Sequence, residues 1–145
     1  MIAVTLTNRE LAMCDMIAAM RFWQGCGSNT TIIDKRKASR IGFTAEYAFS
    51  KQFNLHLDIL SNLDRDSFDF KSNDGSTIDI KATDNQKGNL LVEHPKHDIY
   101  VFAIVDDSTV YLIGYATKQM LLDSGQRDFN HGPTYFVKRK DLKAW

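Results

Sequence analysis

The sequence predicts an α+β fold in which N-terminal helices pack on a mixed, mainly antiparallel central sheet. Up to Phe53, apolar residues recur at the three- and four-residue spacing of amphipathic helices. From Phe68 onward, short segments alternate apolar and polar residues, and the turn sequences Asn-Asp-Gly and Asp-Asp-Ser separate them, as in antiparallel hairpins. Helices that precede the strands, rather than alternate with them, are the order expected of an α+β protein.

The composition is that of one globular domain, residues 1–145. The 145 residues are 43% hydrophobic and 25% charged, which is enough length and apolar content for a single buried core. No run reaches the about 18 to 20 apolar residues of a membrane span, and Met1–Glu10 lacks the pattern of a signal peptide. We therefore expect a cytoplasmic protein without a membrane partner, in which Cys14 and Cys26 are reduced thiols.

The charges of the chain balance overall but are unevenly distributed. Eighteen basic and eighteen acidic residues argue against a protein that coats nucleic acid by bulk charge alone. Residues 1–40 carry six basic and three acidic side chains, residues 41–84 carry four and eight, and residues 85–145 carry eight and seven. The acidic middle segment indicates either a cation site or a set of solvated acidic loops.

A first helix is predicted within residues 1–25. Thr7 followed three residues later by Glu10 is a capping-box pattern, and apolar residues then recur at helical spacing as far as Gly25. This helix is rich in Met and aromatic residues, so it is either a core element or a subunit interface. The segment Gly25–Thr31, with two glycines, predicts a loop.

A second helix is predicted from Asp34 or Ala38 to about Phe53. One stripe of this helix is apolar and should pack on the sheet. Its members are Ala38, Ile41, Ala45, Ala48, Phe49 and Gln52, with Phe53 at the edge.

The later elements follow from apolar runs and the turns between them. Short strands are expected at Leu55–Leu60, Asn89–Glu93 and Thr134–Val137, hairpins around Asn73–Gly75 and Asp106–Ser108, a turn at Asn62–Asp66, and a helix over Thr117–Leu122 capped by Thr117. The second hairpin pairs Ile99–Val105 with Val110–Tyr115. Pro95 and Pro133 should lie between elements because proline disrupts both helices and sheet ladders.

The first hairpin is predicted to bring two carboxylates together. If Gly75 takes the left-handed position of a three-residue loop, Asp69 lies opposite Asp79, and Lys81 follows on the same face as Asp79. The same register pairs Ser72 with Ser76 and Lys71 with Thr77, and it places Phe70 and Ile78 on the other face. Carboxylates opposed in this way have Cβ atoms about 4.5 to 5.5 Å apart and repel each other unless something neutralises them.

A divalent cation between Asp69 and Asp79 would supply that neutralisation. Carboxylate oxygens are the ligands that Mg²⁺ prefers, and the backbone carbonyl of Ile80 offers one more oxygen. Lys81 would then lie beside the metal, where an ammonium group positions water or neutralises charge on a phosphate. The alternative is a solvated hairpin face on which acidic and basic side chains alternate.

Glu46 is a further candidate ligand. On the second helix it lies about 100° from Ala45, at the border of the apolar stripe, from which a carboxylate can reach the edge of a packed sheet. Gly42, one turn earlier, lacks a side chain and would allow another backbone to approach. An ordinary surface glutamate is the alternative.

In this order and spacing, the residues resemble the PD-(D/E)XK nuclease superfamily, which has the restriction-endonuclease-like fold. That family has a helix with a Glu, then a hairpin with an Asp, and then an acidic residue, any residue and Lys. Glu46, Asp69 and the triplet Asp79-Ile80-Lys81 follow this pattern, with a spacing of ten positions from the first aspartate to the second. The resemblance covers residues 38–115, inside a catalytic core expected over 34–115 and followed by a C-terminal helix and strand over 116–145.

The resemblance implies a Mg²⁺- or Mn²⁺-dependent endonuclease that hydrolyses phosphodiester bonds in DNA. Asp69 and Asp79 would be metal ligands, Lys81 the catalytic lysine, and Glu46 a direct or water-mediated ligand. Compact nucleases of this kind are familiar from phages and restriction systems. Because a chain of this size has no separate recognition domain, a homodimer is the simplest way to span a duplex or branched substrate.

Two departures from the family pattern are present. Phe68 stands before Asp69, where the family often has Pro, and no helix is evident between Lys81 and Ile99. Asp66 would replace Asp69 if the strand were displaced. The alternatives are a non-catalytic nucleic-acid-binding or structural protein on the same fold, and a ribonuclease with the same site.

Several other side chains are candidates for binding. Those for contact with nucleic acid are Lys35, Arg36, Lys37, Arg40, Gln86 and Lys87. The basic cluster of Lys138, Arg139, Lys140 and Lys143 either binds nucleic acid or, as we expect, solubilises the end of the chain. His94 and His97 lack the partners of a zinc site. No glycine-rich phosphate or dinucleotide motif is present, so no nucleotide cofactor is expected.

Overall fold

Two helices cover one face of a five-stranded sheet, and a three-stranded sheet packs against the other face. The computed structural model describes residues 1–25, 32–57, 59, 68–128 and 132–145. The helices are α1 (Asn8–Gly25), α2 (Ile32–Phe53) and α3 (Lys118–Ser124), and a short 3-10 turn covers Arg139–Asp141. The strands are β1 (Ile2–Thr5), β2 (Phe70–Lys71), β3 (Thr77–Thr83), β4 (Leu90–Val92), β5 (Ile99–Asp106), β6 (Thr109–Thr117), β7 (Gln126–Asp128) and β8 (Pro133–Val137). The predicted α+β class is confirmed.

The large sheet is mixed and mainly antiparallel, as predicted. Its strand order is β1-β6-β5-β3-β2, and only the pair β3 and β5 is parallel among the described strands. A parallel pair needs a crossover connection. Here the crossover contains β4 instead of a helix, and β4 leaves the large sheet to pair with β8 in the order β4-β8-β7. The strand predicted at Asn89–Glu93 is thus confirmed.

The two faces of the large sheet have different partners. Val101 and Ala103 of β5 pack in one cluster with Phe49 of α2, whereas Tyr100 and Phe102 pack with the small sheet and α3. This alternation is the two-residue period of a strand that is buried on both faces. The central strand β5 therefore belongs to two cores, and β3 beside it is anchored by Ile78 and Ile80 in the core under α2.

Helix α1 begins with the predicted capping box. Glu10 Oε2 accepts a hydrogen bond from Thr7 N–H at 2.7 Å, and Thr7 Oγ1 accepts one from Glu10 N–H at 3.3 Å. One face of the helix, with Cys14 and Ile17, packs against Phe43 of α2. Cys14 is a free, buried thiol, and Cys26 lies outside the described residues.

Helix α2 differs from its prediction in two respects. It begins at Ile32, earlier than predicted, and Ala38 and Gln52 of the predicted stripe are exposed. The inner part of the stripe is right, because Ala45, Ala48 and Phe49 lie in the core beneath the sheet. At the C-terminal end, Phe53 packs against Phe49 and Trp145. 

Both predicted hairpins form, and so does the predicted third helix. β2 and β3 pair in the predicted register, with Phe70 opposite Ile78, and Gly75 has a φ of 90° in the turn. The second hairpin pairs Asp106 with Thr109 across a turn in which Asp107 has a φ of 49°. Met120 N–H donates to Thr117 Oγ1, so Thr117 is the N-cap of α3 as predicted.

Other local predictions are wrong or fall on residues that are not described. Leu55–Leu57 form no strand, because Asn54 turns the chain with a φ of 52° and Leu55 N–H donates back to Ser50 O. Pro133 begins β8 instead of lying between elements, in a position where a strand tolerates proline. The predicted Gly25–Thr31 loop after Gly25, the Asn62–Asp66 turn, and the alternative ligand Asp66 lie outside the described residues.

Among the helices of the described residues, none combines the length and the apolar composition required to cross a membrane.

Gly114 of β6 is predicted to be intolerant of a side chain, whereas Gly42 of α2 should tolerate one. A Cβ at Gly114 would lie 2.5 Å from Lys143 O, in a segment that Tyr115 holds by two backbone hydrogen bonds. A Cβ at Gly42 meets nothing within 4 Å, so the close backbone approach expected there is wrong. Gly114→Ala should lower the free energy of unfolding by about 1 to 3 kcal/mol, and Gly42→Ala should raise it by up to about 1 kcal/mol.

Urea denaturation of the two alanine variants and the wild type measures both effects under one set of conditions. Equal stability of Gly114→Ala and wild type would contradict the close packing of β6 against the C-terminal segment.

Candidate active site at the open edge of β3

The outer edge of β3 is only partly covered by β2. The pairing of the two strands covers Thr77 and Ile78 and ends there, although β3 continues to Thr83. The N–H and C=O of one strand residue point to the same edge, so those of Ile80 point to the side where β2 has ended. A side chain takes the place of the missing strand: Asp69 Oδ2 accepts the Ile80 N–H at 2.6 Å.

Asp69 reaches this position because the chain bulges just before β2. Its N–H donates to Ile78 O at 3.0 Å, although Phe70 is the residue paired with Ile78. Asp69 and Phe70 thus both lie opposite Ile78, which is the pattern of a β-bulge. A bulge changes the direction in which a side chain points, here that of Asp69. The expected direct opposition of Asp69 and Asp79 is therefore wrong, because the strand pairing ends at Phe70.

Asp79 projects from the face of β3 opposite to its core residues. Ile78 and Ile80 pack under α2, so Asp79 and Lys81 point to the other face, as predicted. Asp79 is only 8% exposed, and its Oδ2 lies 2.8 Å from Lys81 Nζ. The Lys81 ammonium group is therefore the partner of this buried oxygen, which meets no other donor among the described residues.

Glu46 approaches the same edge from α2. It follows Ala45, which is buried against the sheet, and its Oε2 accepts a hydrogen bond from Arg21 Nη1 of α1 at 2.7 Å. The two side chains are 14% and 18% exposed, so they form a largely buried ion pair. Arg21 also lies over the ring of Phe43, 4.5 Å from its centroid.

The carboxylates influence one another's protonation. Burial, followed by the charges of Glu46 and Asp79, raises the pKa of Asp69 to about 8. Burial likewise raises the pKa of Glu46; Arg21 opposes this and the Asp79 charge adds to it. Burial lowers the pKa of Lys81, but the nearby Asp79 and Asp69 raise it more, so its pKa lies above the ordinary value. Three carboxylates from three segments therefore share one electrostatic environment with a lysine that stays charged.

A cleft of about 370 Å³ opens beside Asp79 and Lys81. Tyr100 forms part of its wall and accepts a hydrogen bond from His97 N–H through its hydroxyl oxygen at 2.8 Å. His94 also lines this cleft, so both histidines of the β4–β5 connection face the candidate site. The cleft gives a substrate access to the lysine.

The carboxylates do not form a ready cage for a metal ion. Across residues 1–25, 32–57, 59, 68–128 and 132–145, no three acidic, histidine or cysteine side chains are grouped so that they could hold one. The reason is local, because each carboxylate is turned toward its own partner: Glu46 toward Arg21, Asp79 toward Lys81, and Asp69 toward the Ile80 N–H. Their charges nevertheless interact, since those of Glu46 and Asp79 raise the pKa of Asp69 and that of Asp79 raises the pKa of Glu46.

The predicted nucleic-acid contacts lie in two places. Lys35 and Arg36 are exposed near the start of α2, Lys37 pairs with Asp84 at 2.5 Å, and Arg40 pairs with Asp15 at 2.7 Å. A cleft of about 360 Å³ between α1 and α2 is lined by Arg36, Lys37 and Arg40. Gln86 and Lys87 lie in the exposed turn after β3, on the way to β4.

Arg21 is the site residue that the sequence analysis missed. It lies on the buried stripe of α1, four residues after Ile17 and three after Ala18. A charged residue on an otherwise apolar stripe predicts a buried partner of opposite charge, and this signal was present in the sequence. The sequence does not identify the partner, because Glu46 is 25 residues away from Arg21.

Comparisons of the chain with protein-family models and with curated proteins found no match. A functional argument for this chain is therefore an argument from the geometry and chemistry of the site.

The raised pKa of Asp69 predicts a pH dependence of stability in metal-free solution. Folded Asp69 keeps its proton up to about pH 8, whereas an unfolded aspartate loses it near 3.8. Because the folded state binds more protons in that window, the contribution of Asp69 to the free energy of unfolding falls as pH rises from about 4 to about 8. Asp69→Asn removes the titration and keeps an oxygen for the Ile80 N–H.

Urea denaturation in EDTA at pH 5 and pH 8.5 measures this effect. We expect Asp69→Asn to be more stable than wild type at pH 8.5 by at least about 1 kcal/mol, which corresponds to about one pKa unit. A pH dependence identical to that of wild type would contradict the raised pKa.

Proposed function

We propose that this chain is a metal-dependent nuclease of the PD-(D/E)XK type that hydrolyses phosphodiester bonds in DNA. One observation carries the proposal. Glu46, Asp69 and Asp79 come from α2, from the bulge before β2 and from β3, and their charges interact beside Lys81 at the edge that β2 leaves uncovered. Like charges brought together by separate elements are costly to fold unless they serve a ligand.

The donor set suits Mg²⁺ or Mn²⁺. All three side chains offer hard oxygen ligands, and the buried Asp79 Oδ2 has Lys81 Nζ as its one partner among the described residues. The carbonyl of Ile80 points to the same edge as its N–H, toward Asp69. We assign Asp69, Asp79 and the Ile80 carbonyl as ligands and Glu46 as a direct or water-mediated ligand, with the carboxylates turning from their present partners. When bound, the ion polarises the scissile phosphate and lowers the pKa of the attacking water.

Lys81 supplies positive charge in this proposal and does not act as a base. Its pKa is raised by Asp79 and Asp69 after allowance for burial, so its amine stays protonated at neutral pH. With its side chain 42% exposed, the ammonium group can donate to a substrate oxygen from the wall of the cleft. Such a donor stabilises the negative charge that develops on the phosphate during attack.

The restriction-endonuclease-like fold is part of the same proposal. Its support is the order of a helix with Glu46, a hairpin with Asp69 and Asp79, and a mixed central sheet. The strand-containing crossover between β3 and β5 remains a departure from that pattern. The exposed cations Lys35 and Arg36 of α2, together with Gln86 and Lys87 after β3, are proposed to contact the DNA backbone.

A homodimer is proposed through the outer face of α1. Its inner face packs on α2, whereas Met16, Met20 and Trp23 are all exposed at the spacing of one helical stripe. Exposed apolar stripes of this kind are typical of interaction surfaces.

Light scattering coupled to gel filtration should give a molar mass of about twice the 16.5 kDa of one chain. Met20→Lys should reduce the molar mass to that of one chain, because a lysine buried in the interface is costly. A monomeric wild type at high concentration would contradict the dimer.

Two alternatives share the site residues and are separated by experiment. A non-catalytic nucleic-acid-binding or structural protein would not respond to metal or to Lys81→Met, and a ribonuclease would differ only in substrate. The test incubates the protein with plasmid, linear, branched and single-stranded DNA and with RNA, in Mg²⁺ or Mn²⁺.

Asp79→Asn and Lys81→Met should each reduce DNA cleavage by about 100-fold or more, because each removes a group that acts on the reacting phosphate. Lys81→Met should still bind DNA. Asp107→Asn is the matched control, since it makes the same amide substitution in the turn between β5 and β6. Cleavage that is equal in wild type and Asp79→Asn would refute the proposed site.

A further inference from the structure

Three adjoining clefts form a continuous track that begins at the candidate site. The cleft beside Asp79 shares Lys81 and Leu91 with a second cleft of about 450 Å³. The second shares Asn89 and Phe136 with a third cleft of about 620 Å³. The third is bordered by Lys138–Lys140, so the track connects the candidate catalytic lysine with the basic segment near residue 140.

The floor of the track is an apolar platform on the small sheet. Leu91 of β4 pairs directly with Phe136 of β8. Their neighbours Leu90 and Val137 are buried, so by strand alternation Leu91 and Phe136 point outward, and Leu91 is 43% exposed. The guanidinium group of Arg127 lies over the Phe136 ring, 5.3 Å from its centroid, and adds a positive charge beside this platform.

The walls of the second and third clefts carry only positive charge. Among the described residues that line them, the charged ones are Lys81, Lys87, Lys138, Arg139 and Lys140, and none is acidic. In the first cleft, by contrast, Glu93 and Asp79 contribute carboxylates. Acidic groups are therefore confined to the end of the track where a metal is proposed.

The basic segment is tied to the turn that follows β3. Arg139 N–H donates to Asn89 Oδ1 at 2.9 Å, and Arg139 Nη1 donates to Gln86 O at 3.3 Å. These contacts hold cations from residues 138–140 beside Lys87, although more than fifty positions separate them in the chain. The expectation that this cluster serves only to solubilise the chain end does not account for this placement.

From this arrangement we propose that the track binds a single strand of DNA, which extends from Lys81 across Leu91 and Phe136 to Lys138–Lys140. This inference rests on the proposed nuclease function and assigns its substrate as DNA with a single-stranded segment. The apolar and aromatic platform is the deciding feature, because bases expose their faces for stacking only when they are unpaired. In a duplex the base faces are already stacked on one another, so they cannot stack on Leu91 and Phe136.

The test measures binding separately from cleavage. Fluorescence anisotropy in EDTA uses a labelled single strand of about 15 nucleotides and a duplex of the same length. Phe136→Leu keeps an apolar side chain but removes the aromatic ring on which a base can stack. The separate variant Phe136→Tyr keeps an aromatic ring. Phe136→Leu should weaken single-strand binding about fivefold or more, with little change in duplex binding, and Phe136→Tyr should bind as wild type does.

The charges of the track are tested by the salt dependence of the same binding. Replacing Lys87 and Lys140 together with alanine should reduce the slope of log Kd against log salt by about 1.4 for the single strand. Arg9→Ala is the control for loss of a positive charge elsewhere on the surface, since Arg9 is exposed on α1 and lines none of these clefts. A double variant that matches Arg9→Ala, or a Phe136→Leu variant that binds the single strand as wild type does, overturns the track.

Failure of the track and failure of the nuclease proposal give different results. Cleavage that depends on Asp79, together with single-strand binding that is indifferent to Phe136, overturns the track and leaves the nuclease. Binding that depends on Phe136, without cleavage of any substrate, supports the track and refutes the nuclease. Equal losses of single-strand and duplex binding in Phe136→Leu also overturn the track, because stacking on unpaired bases predicts a difference.

Discussion

The hydrogen bond from Ile80 N–H to Asp69 Oδ2 is the interaction on which the candidate site depends. β2 ends its pairing with β3 at Ile78, and a backbone N–H left without a partner beyond that point would be costly. Asp69 satisfies it from a bulge, and in doing so it brings its own charge next to those of Asp79 and Glu46. The bulge places Asp69 where its carboxylate reaches the Ile80 N–H, so the early end of β2 shapes the site.

Among the described residues, the charges at this edge do not balance. Three carboxylates face two cations, Arg21 and Lys81, and each cation is in contact with one carboxylate. Asp69 is the carboxylate without a cation of its own, and it is the one whose pKa rises to about 8. In metal-free protein a proton therefore compensates its charge. In the proposed function a divalent ion takes over this compensation, which explains why buried acidic residues are tolerated here.

Local features of the site could be predicted from the sequence, whereas long-range contacts could not. The hairpin register and the left-handed Gly75 follow from neighbouring residues, and the capping box at Thr7 does so too. The Arg21–Glu46 pair and the parallel pairing of β3 with β5 join distant segments, and a periodic pattern does not identify a partner. The Leu91–Phe136 pair is of the same kind, so the track could not be inferred before the small sheet was known.

The alternation of β3 also separates the chemistry of the site from its scaffold. Ile78 and Ile80 anchor the strand under α2. Because side chains alternate along a strand, Asp79 and Lys81 face the cleft on the other side. The proposed strand-binding platform lies on a different sheet, whose residues line the same clefts as those of β3. Changes to Leu91 or Phe136 can therefore alter which nucleic acid is held while the balance of charge around Asp69 stays the same. A fold organised in this way can vary its substrate without disturbing the groups that would carry out hydrolysis.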